Sequence, residues 1–401
     1  MTFFKLNLLD RVVAGSAPPP SPPLTLASAT AAASATPATP ATAATSSIPS
    51  ALPLPDSLPA TLQATIRPYT DLNPRKGWVR LLSLWSLTWG LWLAAWLSGN
   101  FALFLGLSTL GGIAYGFLFV CTHEMAHNCL TGSPRWEAPI ARVISWPLLW
   151  PYGTYCLVHR FHHAWNGCDL RDPERIQWTQ GEYAAAPQWR KWYVRHQWTF
   201  NIWVGGGFGL IFNAFWRGWR CRDSVPSLRS ALTRQLWLDG LGSLVIHTVG
   251  FVWALSQGRG WDYVIFWLIL ERVVGVMMQS RAHLEHYGRW YPQNHAALTQ
   301  LYSYRNLAVP SWVNWLMGGL PYHSLHHAYP QIPFDQLPAA CAAVQTVLAQ
   351  YHAPLLELAD RGYLRETLHR SWATQLIPSD DRPLPRSLDT AQRSIPHNRK
   401  D

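Results

Sequence analysis

The stretch 120–165 begins VCTHEMAHN and ends VHRFHHAW, and its histidines decide how the rest of the chain must fold. Side chains four positions apart lie on one face of an α-helix, so His123 and His127 point the same way on a helix. A second such face carries three more histidines, His159, His162 and His163. The spacing therefore predicts two helices that aim five imidazoles at a common place.

The same pattern returns twice further along the chain, in HLEHYG and in YHSLHHAYP. The histidines of these stretches are His283, His286, His323, His326 and His327. Ten of the sixteen histidines thus fall into four short clusters. Imidazole is a neutral ligand that suits iron, zinc, copper and nickel, and this many would exceed the coordination number of one ion. The clusters therefore indicate a site for two metal ions.

The composition indicates a membrane protein rather than a soluble enzyme. The 401-residue chain has 24 tryptophans and only 13% charged residues. Its mean hydropathy of -0.03 averages polar segments with a few strongly apolar runs. The net charge of +10 fits an anionic membrane surface. Because the basic residues are not grouped with base-stacking motifs, we expect no nucleic acid partner.

Four apolar runs predict four transmembrane helices in two hairpins. The first hairpin joins residues 78–97 to 101–120 through SGN, and the second joins 235–255 to 261–279 through SQGRG. Each run has about the twenty residues that a bilayer core requires. The predicted fold class is therefore an all-α integral membrane protein. A cytosolic and interfacial helical cap is expected to carry the histidine clusters.

The distribution of basic residues predicts the orientation in the membrane. Thirteen arginines and lysines lie between the second and third runs, whereas the two hairpin tips offer only Arg259. Because cytoplasmic loops are enriched in these residues, we expect the histidine clusters and both termini on the cytosolic side. The aromatic runs 144–155 and 189–219 predict helices that lie in the interface or re-enter it.

The two ends of the chain differ from its central part. Residues 1–65 are rich in Ala, Pro, Ser and Thr, with too few large apolar side chains to offset the entropy of ordering. They predict a disordered tail. Residues 73–363 form the predicted membrane domain, and residues 364–401 a polar C-terminal tail.

A few polar residues outside the clusters allow two interpretations. The six cysteines form no CxxC pair, so reduced thiols are expected. Cys121 and Cys129 flank the first histidine cluster and are expected to pack, with thiolate ligation as the alternative. Glu271 and Arg272 lie in the fourth apolar run, which indicates either a functional pair or a helix that continues beyond the bilayer. His247 is interpreted as a packing histidine.

Three of the clusters resemble the histidine boxes of the membrane-bound fatty acid desaturase and hydroxylase superfamily. The boxes are HxxxH at 123–127, HxxHH at 159–163 and HxxHH at 323–327, and the resemblance covers about residues 73–363. It implies a di-iron centre that uses dioxygen and two electrons to attack an unactivated C–H bond. The ligands that it implies are His123, His127, His159, His162, His163, His286, His323, His326 and His327, with His283 as the alternative to His286.

Metal-bound histidines have their second ring nitrogen held by a carboxylate or a carbonyl. The candidates for this role are Glu124, Asn128, Asn166, Asp169, Asp172, Glu285 and Asp335. Asp169 and Asp172 follow the second box directly, where the family commonly places an acidic segment. The sequence shows no HPGG haem-binding motif. The resemblance therefore implies a separate electron donor of the ferredoxin or cytochrome b5 type.

The leading interpretation is an oxygen-dependent desaturase that introduces a double bond into a fatty acyl chain of a lipid or thioester. The same boxes serve carotenoid hydroxylases and ketolases and alkane or acyl hydroxylases, but the run YPQIP after the third box favours acyl chains. A non-catalytic metal-binding or transporting membrane protein is a different class. A transporter would place ionisable ligands near the bilayer midplane, whereas these ligands lie outside the predicted spans.

Overall fold

The computed structural model describes residues 54–371 and 374–378, and this part of the chain is mostly helical. Its α-helices are α1 Leu58–Ile66, α2 Pro74–Leu97, α3 Phe101–Ala126, α4 Pro134–Ser145, α5 Tyr152–Trp165, α6 Gln180–Ala185, α7 Gln188–Arg195, α8 Gln197–Thr199, α9 Gly206–Ser224, α10 Arg229–Ser256, α11 Gly260–His286, α12 Ala296–Tyr302, α13 Ser311–Leu316, α14 His323–Ala328, α15 Leu337–Gln350 and α16 Gly362–Arg370.

Short irregular elements join these helices. A π-helical turn, Phe200–Gly205, lies between α8 and α9. The two-residue strands β1 (Asn306–Leu307) and β2 (Leu358–Ala359) pair in parallel. Single 3-10 turns occupy Arg67–Tyr69, Trp146–Leu148, Pro226–Leu228 and Leu320–Tyr322.

Among the described helices, α3, α10 and α11 are long and apolar enough to cross a membrane. They contain three of the four predicted apolar runs. The remaining run forms α2, a helix of 24 residues. It is not among the candidate spans, because Arg80 and its Trp, Ser and Thr residues are interspersed among its leucines. The predicted all-α class is confirmed, and the described residues contain three candidate membrane spans. The arrangement of four spans in two hairpins stays a prediction.

The core lies where α2, α3, α4, α5 and α11 meet. Leu81 of α2, Leu118 of α3 and Val274 of α11 are no more than 2% exposed within it. The outer faces of the long helices are also apolar, since Leu93 of α2 is 59% exposed and Trp237 of α10 is 76% exposed. Large exposed apolar faces of this kind suit contact with lipid rather than water.

The backbones of α9 and α11 approach each other closely. Gly206 adopts a φ of 52°, in the left-handed region that favours glycine. A Cβ added to Gly275 of α11 would lie 1.8 Å from the backbone nitrogen of Gly207. Only a glycine on α11 therefore permits this contact.

The ionisable residues of α11 bind the irregular backbone at this contact. Glu271 is 1% exposed and accepts a 2.7 Å hydrogen bond from the backbone N–H of Phe208. Nη1 of Arg272 donates a 2.7 Å hydrogen bond to the Trp203 carbonyl. Glu271 and Arg272 thus each find a backbone partner in the segment that enters α9. The predicted packing histidine, His247, lies with Nδ1 2.9 Å from the Tyr263 hydroxyl.

The tail predicted over residues 1–65 is wrong at its C-terminal end. Helix α1 buries Leu58, Leu62 and Ile66 completely, and it packs against α15. These residues recur every four positions and so form one apolar face, a pattern that the polar composition of the preceding segment obscured. Residues 1–53 of the predicted tail lie outside the described residues.

The polar tail predicted over residues 364–401 is likewise wrong at its start. Helix α16 buries Glu366, which accepts a 2.6 Å hydrogen bond from Nε of Arg370. Further on, the backbone of Ile377 pairs with Trp178 and Gln180. The folded part therefore extends beyond the predicted limit, because the backbone of Ile377 forms hydrogen bonds with a segment about 200 positions earlier. Residues 379–401 lie outside the described residues.

Candidate metal centre

The four histidine clusters lie at the C-terminal ends of helices. His123 is in the last turn of α3 and His127 caps that helix, while α5 ends with the second box. Helix α11 ends at His286, and the short α14 carries the third box. The C-terminal end of a helix bears partial negative charge. Several such ends therefore favour a cation at the place where they meet.

Five histidines form what we call the first histidine group. One nitrogen from each lies within 4.8 Å of the others, and the members are His123, His127, His159, His163 and His326. Nε2 of His159 is 3.0 Å from Nε2 of His123 and 3.0 Å from Nε2 of His163. All three predicted boxes contribute to this group.

The other four predicted ligands form the second histidine group, which consists of His162, His286, His323 and His327. Nε2 of His323 lies 3.0 Å from Nε2 of His286 and 3.1 Å from Nε2 of His327. The ring centre of His162 is 4.8 Å from that of His286. The rings of His163 and His327 stack at 4.0 Å, so the two groups are adjacent.

The arrangement of the ring nitrogens is suited to binding a metal ion rather than to hydrogen bonds among the histidines. A neutral imidazole nitrogen either donates or accepts one hydrogen bond, yet Nε2 of His159 and Nε2 of His323 each face two other Nε2 atoms. Nε2 of His127 and Nε2 of His326 are buried and have no hydrogen-bond partner in the part of the chain that the structure describes. A separation of about 3 Å is that of two nitrogens bound to one ion at about 2.1 Å.

Burial keeps several of these imidazoles in the form that binds metal. Removal from water lowers the pKa of His163, His323, His326 and His327 well below the ordinary value of histidine, and neighbouring charges lower it further. A neutral ring has the free lone pair that a metal ion requires. The donor set of neutral nitrogens is suited to iron, zinc, copper or nickel.

Two carboxylates hold the outer nitrogens of histidines from the second box. Both oxygens of Asp172 lie 2.9 Å from Nδ1 of His162, and Oε2 of Glu174 lies 3.1 Å from Nδ1 of His159. Each contact leaves Nε2 directed at the metal site, which is how proteins orient histidine ligands. Glu174 went unpredicted, although it stands two residues after Asp172 in the same acidic segment.

The other predicted partners of the histidines have different contacts. Three carboxylates bind cations, in the pairs Glu124–Arg80, Asp169–Arg171 and Asp335–Lys76. Asn128 is exposed, and the Asn166 backbone carbonyl accepts a 2.9 Å hydrogen bond from Gln300. Oε2 of Glu285 lies 3.4 Å from Nε2 of His323. Of the seven candidates, Asp172 has the contact that the prediction describes.

His283 lies apart from both histidine groups. Its Nδ1 is 2.9 Å from the Gln279 carbonyl, and its Nε2 is 2.9 Å from the side-chain nitrogen of Asn201 in the π-helical turn. His286, three residues further along the same helix, is the member of the cluster that joins the second group. Among the described residues, the possible metal groups contain neither Cys121 nor Cys129.

A cavity opens beside both histidine groups. Five of the nine histidines border it, and its apolar lining includes Phe119, Leu210, Met278 and Leu320. Glu174, Arg217 and Arg281 also border it. An apolar chain in this cavity would therefore meet the ring nitrogens of both groups while apolar walls shield it from water.

The fold and the site together define a helical membrane protein with a buried, histidine-rich site that can bind metal. The sequence model of the family described as Fatty acid desaturase matches residues 92–359, a range that contains both histidine groups. The chain belongs to this family of oxidoreductases.

Curated relatives agree with this assignment. The chain is 25% identical over 313 residues to the chloroplastic omega-6 fatty acid desaturase of Glycine max, covering 75% of this chain and 70% of the relative. It is 24% identical over 334 residues to the sn-1 oleoyl-lipid 12-desaturase of Anabaena variabilis, covering 77% and 84%. A fatty acid desaturase of Bacillus subtilis is 25% identical over 312 residues, covering 73% and 81%.

Proposed function

We propose that the chain is a di-iron membrane desaturase that introduces a double bond into a fatty acyl chain of a lipid or thioester. The observation that carries this proposal is the convergence of two buried histidine groups beside an apolar cavity. The names of its relatives, which include omega-6 and oleoyl-lipid desaturases, support an acyl substrate.

The proposed reaction removes two hydrogens from neighbouring carbons. One dioxygen, two electrons and two protons are consumed for each double bond formed, and two waters leave. Bound iron would supply this oxidising chemistry. The first histidine group would hold one iron and the second histidine group the other.

The surrounding residues of the chain have separate tasks in this proposal. Asp172 and Glu174 keep Nε2 of His162 and His159 directed inward through their contacts with Nδ1. Phe119, Leu210 and Met278 would position the acyl chain and exclude water, so that the oxidant meets the substrate rather than solvent.

We also propose that α2 is a fourth span, which pairs with α3 as the first of two hairpins. Val79, Leu82, Leu87 and Leu93 of α2 are each more than half exposed, as lipid-facing side chains would be. The membrane domain would begin with α1 and end with α16, because α1 packs against α15 and α16 packs against α11. Its histidine groups would face the cytosol, where a ferredoxin or a cytochrome b5-type protein could deliver electrons.

The experiment that tests this function is a lipid and pigment profile of a host that expresses the chain with a suitable reductant. The matched control is the His162→Ala variant. New unsaturated acyl chains that disappear in the variant would support the proposal and locate the double bond. Oxygenated carotenoids or hydroxylated acyl groups would instead identify the protein as a hydroxylase or ketolase with the same histidine boxes.

A further inference from the structure

Glu285 lies on the metal-facing side of its histidine neighbours. Asp172 and Glu174 contact Nδ1, the outer nitrogen of their histidines, and the one inner nitrogen near Glu174, Nε2 of His162, is 3.9 Å from its Oε2. Oε2 of Glu285 instead lies 3.4 Å from Nε2 of His323. That same nitrogen faces Nε2 of His286 at 3.0 Å and Nε2 of His327 at 3.1 Å. The carboxylate therefore shares the space at which the inner nitrogens are aimed.

The carboxylate of Glu285 is fully buried, and among the described residues only one of its two oxygens accepts a hydrogen bond. Its residue is 0% exposed, and Oε1 accepts a 3.2 Å hydrogen bond from the Tyr363 hydroxyl of α16. Among the described residues, Oε2 has no hydrogen-bond partner. Nη1 of Arg281 lies 3.4 Å from it. Arg281 thus balances the charge of the carboxylate, but no donor among the described residues forms a hydrogen bond to Oε2, so its lone pairs can bind a metal ion.

We infer that Glu285 binds the second metal ion directly through Oε2, beside the four nitrogens of the second histidine group. This inference rests on the proposed di-iron function. One ligand atom each from Glu285, His286 and His323 lies within 4.8 Å of the others, so a single ion can reach all three. Glu285 is then a ligand itself, and its predicted role of orienting a histidine from outside is replaced.

This assignment makes the two metal ions chemically different. The first histidine group offers five nitrogens, whereas the second offers four nitrogens and an anionic oxygen. Carboxylate is a harder ligand than imidazole and leaves less positive charge on its ion. Tyr363 orients the carboxylate by holding Oε1, so α16 contributes to the site although most of this helix lies beyond the predicted membrane domain.

The test is Mössbauer spectroscopy and iron analysis of the full chain loaded with ⁵⁷Fe. The variant is Glu285→Gln, and the matched control is Glu271→Gln. Glu271 lies on the same helix, is 1% exposed and binds the Phe208 backbone. In both variants glutamine keeps an acceptor oxygen and removes the charge.

The wild-type chain and Glu271→Gln should each show two iron sites of equal area. Glu285→Gln should lose or shift one of the two signals and keep roughly half of the iron. Two unchanged signals in Glu285→Gln would overturn the inference, and so would the loss of both signals from a folded variant, because Glu285 has no place in the first group.

A second variant covers the case in which Glu285→Gln does not fold. Glu285→Asp keeps the charge but shortens the side chain, so it should shift one signal and leave the other in place. Unchanged signals there would overturn the inference as well. A wild-type chain that binds no iron would instead refute the proposed function, which keeps the two failures distinguishable.

Discussion

Asp172 and Glu174 decide which ring nitrogen their histidines present to the metal site. Both oxygens of Asp172 are within hydrogen-bond distance of Nδ1 of His162, and Glu174 is within hydrogen-bond distance of Nδ1 of His159. A hydrogen-bonded Nδ1 leaves the lone pair of Nε2 free for the metal. Two carboxylates of the loop after α5 thus orient two histidines of that helix, His162 and His159, for metal binding.

We expect Asp172→Asn to lower metal affinity and turnover by about 10–100-fold, the range found when such outer partners are removed. Asparagine has one acceptor oxygen in place of two and no charge, so it stabilises the tautomer of His162 that is protonated on Nδ1 less well. Metal content after dialysis and the rate of product formation measure the effect. The control is Asp169→Asn, since that carboxylate binds Arg171 instead of a histidine. Equal losses in the two variants would contradict the role given to Asp172.

Arg80 joins three parts of the fold through one guanidinium. It forms a buried ion pair with Glu124 of α3, and its other nitrogens donate to the carbonyls of Trp315 and Leu316. Glu124 lies next to His123, and α13 leads directly into the third box. The ion pair therefore ties the first box to the third.

We expect Arg80→Ala to destabilise the protein by about 3–5 kcal/mol, because it leaves a buried carboxylate without its partner. Lys76→Ala should cost at most about 1 kcal/mol, since Lys76 is 55% exposed in its pair with Asp335. Thermal unfolding in detergent compares the Arg80→Ala and Lys76→Ala variants. A similar small loss in both variants would show that the Glu124 pair adds little.

Helix α11 connects the membrane part to the metal site. Its Gly275 admits the backbone of α9, Glu271 binds that backbone, and its last residue is His286. Glu285 in the same last turn faces the second histidine group. A shift of α11 along its axis would therefore move ligands of the second group.

We expect Gly275→Ala to separate α9 from α11 and to cost about 1–3 kcal/mol or more, because its Cβ would meet the Gly207 nitrogen at 1.8 Å. Gly240→Ala on α10 is the control, since a Cβ there meets no atom within 4 Å. That change should be neutral or stabilising by up to about 1 kcal/mol. Unfolding temperatures of the two variants check the difference.

The folded unit is larger than its histidine boxes and apolar runs. Helix α1 closes over α15, and the Thr61 hydroxyl lies 2.7 Å from the Tyr351 hydroxyl. At the other end, α16 brings Tyr363 to Glu285. Both chain ends of the unit therefore contact segments that support the third box or the second histidine group.

We expect deletion of residues 2–53 to leave activity nearly unchanged, because it removes no box and no apolar run. Deletion of residues 2–66 should destabilise the protein, since Leu58, Leu62 and Ile66 each contribute about 1.5–3 kcal/mol when buried. Turnover and unfolding temperature of the two truncated chains test this. Loss of activity in the shorter deletion would give the N-terminal segment a role of its own.

Local patterns in the sequence were sufficient for the class of protein and for the alignment of the histidines within each box, while the resemblance to the family implied that the boxes converge. A spacing of three or four positions puts side chains on one helix face whatever the rest of the chain does, and long apolar runs suit a bilayer in the same way. The family model matches residues 92–359, the range that holds these boxes. That these nine histidines bind iron remains a prediction.

Only the tertiary structure could divide the histidines into two groups, choose His286 over His283 and reveal Glu174. His286 and His323 are 37 positions apart, and Glu285 meets Tyr363 across 78 positions. Contacts at such separations depend on how helices pack, which periodicity does not encode. The sequence likewise could not show which ring nitrogen Glu285 faces, because Nδ1 and Nε2 of one imidazole are only a few ångströms apart. The sequence determined which residues could bind metal, and the packing decided which atoms face it.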